Sequence, residues 1–288
     1  MSERVAARFI LLTKNILYLL LFSLCILFRQ KKKISILLYH SIGQNNARFN
    51  VNPKQFEMQI EYLRKNYNVI SLDRIVSFMK EGKDLPKNPV AITFDDGYHN
   101  VYQNAYPILK KYRLPATIFV TTGYVQKQMF LNQIQLRMLS WTEIKEMSNN
   151  KITIGAHTIT HPNLEQADLE TAKEEILKSR EEIEVNIGKK VKYFSSPYGK
   201  DNEEIANLVK SMGFEYAFGR LSSKRLIQSG VNRLILNRTE IDSGVVYWMF
   251  KVKLTKAVDW YEKIEHKASE IVNKLTFLSK VDQLYDAV

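Results

Sequence analysis

The feature that most constrains the fold is a repeated alternation between short apolar runs and segments with helical spacing. Runs such as "ISILLYH" (34–40), "VAITF" (90–94) and "PATIFVTT" (115–122) predict buried strands, and the intervening segments carry apolar residues at helical intervals. Strands that alternate with helices in this way indicate parallel βαβ units. About seven or eight strands in ~220 residues favour a barrel-like α/β domain over a small open sheet.

Composition bounds the size of the core and the class of partner. The chain has 288 residues, of which 45% are hydrophobic, and this is enough for one sizeable core. Its 42 basic and 30 acidic residues give a formal charge of +12, which suggests anionic partners. The charges are scattered, however, and no zinc-finger cysteine pattern or aromatic RNA-binding motif occurs. We therefore do not predict nucleic acid as a partner.

The N-terminal segment is strongly apolar. "ILYLLLFSLCILF" (16–28) carries no charge, but it is shorter than the roughly 20 residues of a full membrane span. Extension back to Phe9 includes Lys14, whose charge could reach the interface, and no small-residue cleavage site follows. We predict that residues 1–33 form an uncleaved membrane helix; a cleaved signal and an interfacial helix are the alternatives. Basic residues flank both sides, which leaves the orientation open, although we expect the catalytic domain outside the cytoplasm.

Two further regions follow this anchor. Residues 34–245 are predicted to form the α/β domain, and residues 246–288 a C-terminal helical extension with aromatic and lysine residues. The extension is interpreted as a helix packed on the barrel exterior, with a membrane-surface helix as the alternative. Within the domain, residues 168–188 predict a long charged helix with Leu169, Ile176 and Ile183 inside and the neighbourhood of Glu174 on a solvated face.

Polar residues gather where the predicted strands end. They are His40, Asp95 with Asp96, His157 with His161, and Ser195 to Tyr198. In a parallel α/β barrel the carboxyl ends of the strands carry the catalytic residues. Two adjacent buried carboxylates repel each other, so a metal ion, a basic partner or a catalytic role must compensate.

The two histidines of "HTITHP" (157–162) suggest a metal site. Together with one carboxylate they make a three-ligand set with open positions, which suits Zn²⁺ or another divalent ion. The alternative is a pair of surface histidines near a turn.

The motifs "TFDDG" (93–97), "HTITH" (157–161) and "SSPYG" (195–199) resemble, in this order, those of the polysaccharide deacetylase family. This is the NodB-homology domain of carbohydrate esterase family 4, and the resemblance covers about Ile34 to Glu240. It implies a distorted (β/α) barrel of seven to eight strands. It also implies a metal-dependent hydrolase that removes N-acetyl groups from an amino-sugar polysaccharide or glycoconjugate and releases acetate. The alternatives are a catalytically impaired sugar-binding protein on the same fold and an acetyl-ester esterase.

The resemblance also implies roles for individual residues. Asp96, His157 and His161 would bind the divalent metal, for which Zn²⁺ is the first expectation, and Asp95 would be the general base. The backbone N–H of Tyr198 would donate to the oxyanion. Pro197 and Trp141 would contact the substrate, Trp141 by lining a pocket for the acetyl methyl group; core packing is the equal alternative for this tryptophan.

The sequence departs from the family pattern at two points. Ser195 stands where many members have an arginine that orients the base, and no replacement can be identified from the sequence. The late Leu-x-His motif is absent, because "RLILNRTEI" (233–241) contains no histidine. His40, in "LLYH", resembles an early Tyr-His motif of one branch and is predicted to be the general acid; a histidine that only hydrogen-bonds within the rim is the alternative. The sequence does not identify the glycan.

Overall fold

The structure, a computed structural model, describes residues 34–45, 47–131, 134–199, 202–219 and 235–257, together with residues 16, 20 and 23. The chain divides into two compact units, one formed by Lys33–Tyr247 and the other by Met1–Lys32 with Trp248–Val288. Most of the predicted anchor, and the predicted extension beyond residue 257, lie outside the described residues. Among the described residues, no helix combines the length and apolar character that crossing a bilayer requires.

The described strands are short and mostly parallel. They are β1 (Ser35–Tyr39), β2 (Ser41–Ile42), β3 (Asn50–Val51), β4 (Asn68–Val69), β5 (Pro89–Phe94), β6 (Ala116–Val120), β7 (Gln128–Leu131), β8 (Ile134–Arg137), β9 (Ile152–Ala156), β10 (Tyr193–Ser195), β11 (Tyr216–Gly219), β12 (Ile235–Asn237) and β13 (Thr239–Glu240). The main sheet is parallel in the order β12-β11-β10-β9-β6-β5-β1-β13, with β4 beside β5. The pairs β2–β3 and β7–β8 stand apart as two small sheets.

One chain segment nearly closes the sheet into a barrel. Strands β12 and β13 lie at opposite ends of the strand order, yet only Arg238 separates them in the chain. β12 pairs with β11, and β13 pairs with β1. The Ile241 N–H continues this pairing by donating to the Leu38 carbonyl at 2.8 Å. The predicted (β/α) barrel agrees with this nearly closed parallel sheet.

Helices follow most strands of the barrel. They are α1 (Pro53–Asn66), α2 (Leu72–Glu81), α3 (Tyr106–Lys111), α4 (Trp141–Ser148), α5 (Leu169–Ile187), α6 (Glu203–Ser211) and α7 (Tyr247–Lys253). Their starts are marked by side chains that accept backbone N–H groups, such as Ser71 for α2, Ser140 for α4 and Asp168 for α5. These caps fix where each helix begins and therefore the lengths of the loops that follow the strands.

Helix α5 differs from its prediction in which side chains it buries. Ile176 and Ile183 are buried as expected, but Leu169 is 47% exposed. Glu175, expected near a solvated face, is buried on the same stripe as Ile176. Leu169 is the first residue of the helix, and the buried stripe begins about one turn later, at Ala172. The inward stripe therefore includes a carboxylate.

The barrel core is filled by side chains rather than by solvent. The ring of Phe218 contacts those of Phe119 and Tyr193, at centroid distances of 5.4 and 6.0 Å. The apolar face of α2 joins this cluster through Leu72, Ile75, Val76 and Met79. Burial of each such side chain contributes about 1.5–3 kcal/mol to folding. This packed interior leaves the carboxyl ends of the strands as a rigid rim for polar residues.

Candidate active site

Strand register brings the polar residues of the sequence motifs to one rim. Tyr39 pairs with Phe94, so His40 and Asp95 follow at the same level on neighbouring strands. Ala156 pairs with both Val120 and Phe194, which places His157 beside the end of β10 and near Ser195. The parallel register therefore gathers residues that are up to 155 positions apart, His40 and Ser195, at one end of the barrel.

Asp96, His157 and His161 form a compact three-residue cluster. The Nε2 atoms of His157 and His161 lie 3.3 and 3.4 Å from Oδ1 of Asp96. One ligand atom from each residue lies within 4.8 Å of the other two. Asp96 and His161 both adopt the left-handed backbone region, with φ of 72° and 61°. These tight turns aim the side chains at a common point, as the sequence motifs predicted.

The donor set fits a divalent cation. Nδ1 of His157 lies 2.7 Å from the Ser195 carbonyl oxygen, and we assign the proton to Nδ1 because only a donor can bond to that oxygen. The lone pair of Nε2 is then directed at the cluster, as in most histidine metal ligands. Within the described residues, Oδ1 of Asp96 is buried without a hydrogen-bond partner. Two imidazole nitrogens and one carboxylate oxygen suit Zn²⁺, although this donor set does not identify the metal.

The electrostatics of the cluster favour positive charge. Burial alone would raise the pKa of Asp96, but the contacts with His157 and His161 outweigh it and hold that pKa well below its usual range. Burial would likewise lower the pKa of His157, but the carboxylates of Asp95 and Asp96 outweigh it and raise that pKa. Protons and a metal ion would therefore compete for the same atoms.

Asp95 has a different environment from its neighbour. It is 3% exposed, and the guanidinium of Arg238 donates to both of its oxygens, from Nη1 to Oδ1 at 2.7 Å and from Nη2 to Oδ2 at 2.6 Å. The Ser195 hydroxyl donates to Oδ2 at 3.0 Å and accepts from Arg238 Nη2 at 2.7 Å. Burial would raise the pKa of Asp95, but the charges of Arg238 and His157 outweigh it and lower that pKa. The carboxylate is therefore held ionised and fixed in orientation.

Arg238 is a residue of the site that the sequence motifs do not identify. The sequence has Ser195 where an arginine is expected, and "RLILNRTEI" (233–241) does not match the expected histidine motif. The structure brings an arginine from the barrel-closing segment, between β12 and β13, to Asp95. The guanidinium also lies over the Phe119 ring, 5.3 Å from its centroid. The sequence feature that could have indicated Arg238 is its position as a basic residue between two short strand-like stretches at the end of the domain.

His40 lies on the same rim. It directly follows β1, is half-buried and has its ring centroid 6.4 Å from that of Phe49. Because Tyr39 pairs with Phe94, His40 follows β1 at the level at which Asp95 follows the neighbouring strand β5. Within the described residues, its Nδ1 is buried without a hydrogen-bond partner. Its role as the acid stays a prediction.

The turn after β10 places Tyr198 beside the cluster. Tyr198 has a φ of 59° in the turn Pro197–Gly199, and its side chain is 64% exposed. Its ring centroid lies 4.7 Å from that of His161, with the planes 70° apart. Pro197 is buried beneath this turn. The predicted oxyanion donor therefore belongs to a residue in contact with a candidate ligand, and the substrate contact of Pro197 stays a prediction.

Trp141 begins α4 and is half-buried. The segment before it is fixed next to the aspartate turn, because the Leu139 N–H donates to the Gly97 carbonyl at 2.9 Å and Tyr98 bridges to Met138. The predicted contact of Trp141 with the acetyl methyl group stays a prediction.

The carboxyl-end rim of the parallel barrel thus holds a buried carboxylate, Asp95, beside an Asp–His–His cluster, and comparison with known proteins shows what the chain is similar to. Residues 82–217 match the family model described as polysaccharide deacetylase. The poly-β-1,6-N-acetyl-D-glucosamine N-deacetylase of Staphylococcus aureus is 34% identical over 190 residues, which cover 62% of this chain and 64% of that protein. Over these residues the chain is similar to the polysaccharide deacetylase family, and it spans slightly less than two thirds of the length of this curated relative.

Solved structures share the fold. A putative polysaccharide deacetylase of Bacillus anthracis, BA0330, matches with a TM-score of 0.63 and 26% identity, over 78% of this chain and 70% of that one. The deacetylase PplD of Streptococcus pyogenes, solved in complex with acetate, matches with a TM-score of 0.67 over 78% of this chain and 99% of that one. At 24% identity, PplD supports the fold alone.

The first prediction concerns the metal cluster. Purified protein should hold about one divalent ion per chain, and Asp96→Ala and His161→Ala should each abolish this, because each removes one of three ligands. Elemental analysis of the dialysed proteins measures the occupancy. Asp95→Asn is the control and should keep its metal, since the oxygens of Asp95 are bound by Arg238 and Ser195. Full occupancy in both cluster variants would contradict the assignment.

The second prediction concerns the buried ion pair. Arg238→Met should lower the free energy of unfolding by about 3–5 kcal/mol, because it leaves Asp95 charged and buried without its partner. Urea denaturation with chelator present measures the loss without a contribution from metal. The double variant with Asp95→Asn should lose less than the sum of the two single variants. Arg48→Met is the matched control: its exposed pair with Asp242 should contribute less than about 1 kcal/mol. Additive losses in the double variant would contradict the coupling.

Proposed function

We propose that the protein is a metal-dependent N-deacetylase that hydrolyses acetamido groups of an amino-sugar polysaccharide or glycoconjugate and releases acetate. The observation that carries this proposal is an ionised, oriented carboxylate, Asp95, next to a separate Asp–His–His cluster. Amide hydrolysis needs a base and an electrophile at one carbonyl, and this rim offers both. The name of the S. aureus relative makes poly-β-1,6-N-acetyl-D-glucosamine the first substrate to test.

Asp96, His157 and His161 would hold the metal. When bound, a divalent ion supplies positive charge that acidifies water and polarises the acetyl carbonyl. The cluster itself contributes the geometry: the Ser195 carbonyl fixes the ring of His157, and a left-handed turn fixes His161. These side chains need no rearrangement at the moment of reaction, which is how preorganised sites lower a barrier.

Asp95 would take the proton of the attacking water. Its Oδ2 lies 3.9 Å from Nε2 of His157, so the carboxylate faces the metal cluster. Arg238 donates to both oxygens and Ser195 donates to Oδ2, and these hydrogen bonds prevent the carboxylate from rotating. Oδ1 accepts one of these hydrogen bonds, so its second lone pair can accept a proton while all of them remain.

Two further groups would complete the hydrolysis. The backbone N–H of Tyr198 would donate to the oxygen of the tetrahedral intermediate, next to the cluster. As the carbon–nitrogen bond breaks, the departing sugar amine must gain a proton, and the imidazole of His40, which follows the strand next to that of Asp95, would supply it. The products would be acetate and a sugar with a free amine.

The third prediction tests the reaction itself. The protein should release acetate from poly-β-1,6-N-acetylglucosamine or another N-acetylated glycan, lose this activity with chelator and regain it with Zn²⁺. A panel that adds chitin oligomers, peptidoglycan and an O-acetylated glycan defines the substrate. Asp95→Asn, with metal retained, should lose most of the activity. Acetate from O-acetyl groups alone would indicate an esterase, and glycan binding without acetate release would indicate a sugar-binding protein; both contradict the proposal.

The fourth prediction concerns the proton donor. His40→Ala should keep its metal and its fold but lower kcat by roughly 10²-fold or more, the scale of lost general acid catalysis. Acetate release at saturating substrate measures kcat, and elemental analysis checks the metal. His99→Ala is the matched control, because His99 contacts Glu143 at 3.1 Å outside the cluster, and it should retain normal turnover. Near-normal turnover in His40→Ala would exclude His40 as the acid.

A further inference from the structure

The turn between the two candidate metal histidines is conformationally demanding. Thr158 and His161 both have left-handed backbone angles, with φ of 64° and 61°. Threonine is β-branched, and such residues avoid this region because the side chain approaches the backbone. A non-glycine residue in this region is strained, and the conformation persists only when its surroundings fix it. Contacts outside the turn must therefore hold this geometry.

Glu175 supplies one side of these contacts. Its Oε2 accepts the backbone N–H groups of Ile159 and Thr160 at 2.8 and 2.9 Å, and its Oε1 accepts the Thr160 hydroxyl at 2.6 Å. The residue is 8% exposed and lies within α5. Three donors on a buried carboxylate account for its burial, since charge-assisted hydrogen bonds are about twice as strong as neutral ones.

The strand-end loop after β6 supplies the other side. The N–H groups of Thr122 and Gly123 donate to the carbonyls of Thr158 and Ile159 at 3.1 and 2.9 Å. A Cβ on Gly123 would lie 2.5 Å from the Ile159 carbonyl oxygen, so the two backbones approach as closely as glycine allows. The turn is therefore held by its carbonyls on one side and, through Glu175, by its amides on the other.

We propose that Glu175 is a positioning residue that presets the turn so that His157 and His161 meet a divalent cation without rearrangement. This inference rests on the proposed metal site. Without the carboxylate, the amides of Ile159 and Thr160 lose their acceptor in a partly buried place, and the turn must relax to satisfy them. A turn that occupies the binding conformation for only part of the time lowers the apparent metal affinity by that fraction.

The fifth prediction is that Glu175→Ala weakens Zn²⁺ binding roughly tenfold to hundredfold, the scale found when groups that orient metal ligands are removed. Competition against a chromogenic chelator, with the full-length protein, measures the affinity. Glu174→Ala is the matched control, because Glu174 is the preceding residue of the same helix and its exposed side chain pairs with Lys178; its affinity should equal that of wild type. Hydrogen exchange of the metal-free proteins should show faster exchange at the Ile159 and Thr160 amides in Glu175→Ala only.

Two milder variants keep the test decisive if Glu175→Ala does not fold. Glu175→Gln retains an oxygen for the two amides and should recover most of the affinity, whereas Thr160→Val removes only the hydroxyl donor and should lose a few-fold. If Glu175→Ala bound Zn²⁺ with wild-type affinity and showed wild-type amide exchange, the positioning role would be wrong. If that variant is unfolded, the same result in Thr160→Val would overturn it. If the wild-type protein bound no metal, the metal site and this inference would fail together. Acetate release by wild type with unchanged affinity in the variants would overturn the inference and leave the proposed function standing.

Discussion

The ion pair between Arg238 and Asp95 connects the closure of the barrel to the chemistry of its rim. Moving two charges out of water costs several kcal/mol for each ion, and only good geometry with further hydrogen bonds offsets that cost. Here the pairing is bidentate, and Ser195 bonds to both partners. Arg238 lies between the two strand pieces that join β11 to β1. The carboxylate is therefore placed only when the last strand completes the sheet.

This arrangement explains how two adjacent aspartates coexist at the end of one buried strand. Asp95 continues the strand direction towards Arg238, whereas the left-handed backbone of Asp96 turns its side chain towards His157 and His161. Asp95 is thus paired with a cationic arginine, and Asp96 faces the two candidate metal-binding histidines. These separate partners offset the repulsion between the two carboxylates. The same division separates their proposed roles: Oδ1 of Asp96 faces the two candidate metal ligands, whereas Asp95 is held in a fixed orientation by Arg238 and Ser195.

Local sequence patterns could predict the alternating strands and helices, and the strand-end motifs could predict the Asp96, His157 and His161 cluster. Arg238 could not be found in this way, because its partner is 143 positions away and their contact depends on which strand closes the barrel. The prediction that Glu175 lies near a solvated face was wrong for a related reason. Glu175 lies three residues after Ala172 and four before Ser179, on the buried stripe, but its charge suggested a solvated face. The helical periodicity of α5 places Glu175 on the buried side, where the structure has it, whereas its charge predicted the solvated side.

The two missed residues share a physical role that motifs do not encode. Each is a buried charge with several hydrogen-bond partners, and each contacts a group that is proposed to act in the reaction: Arg238 binds Asp95, the candidate base, and Glu175 binds the turn between the two histidines. A motif fixes the residues that react, but their precision comes from contacts made by distant strands and helices. Because the support for Asp95 comes from another strand, a serine suffices where relatives are expected to carry an arginine. The orientation of Asp95 is then linked to the pairing of β12 and β13 that closes the barrel, so a change at Arg238 would affect folding and, if Asp95 is the base as proposed, catalysis as well.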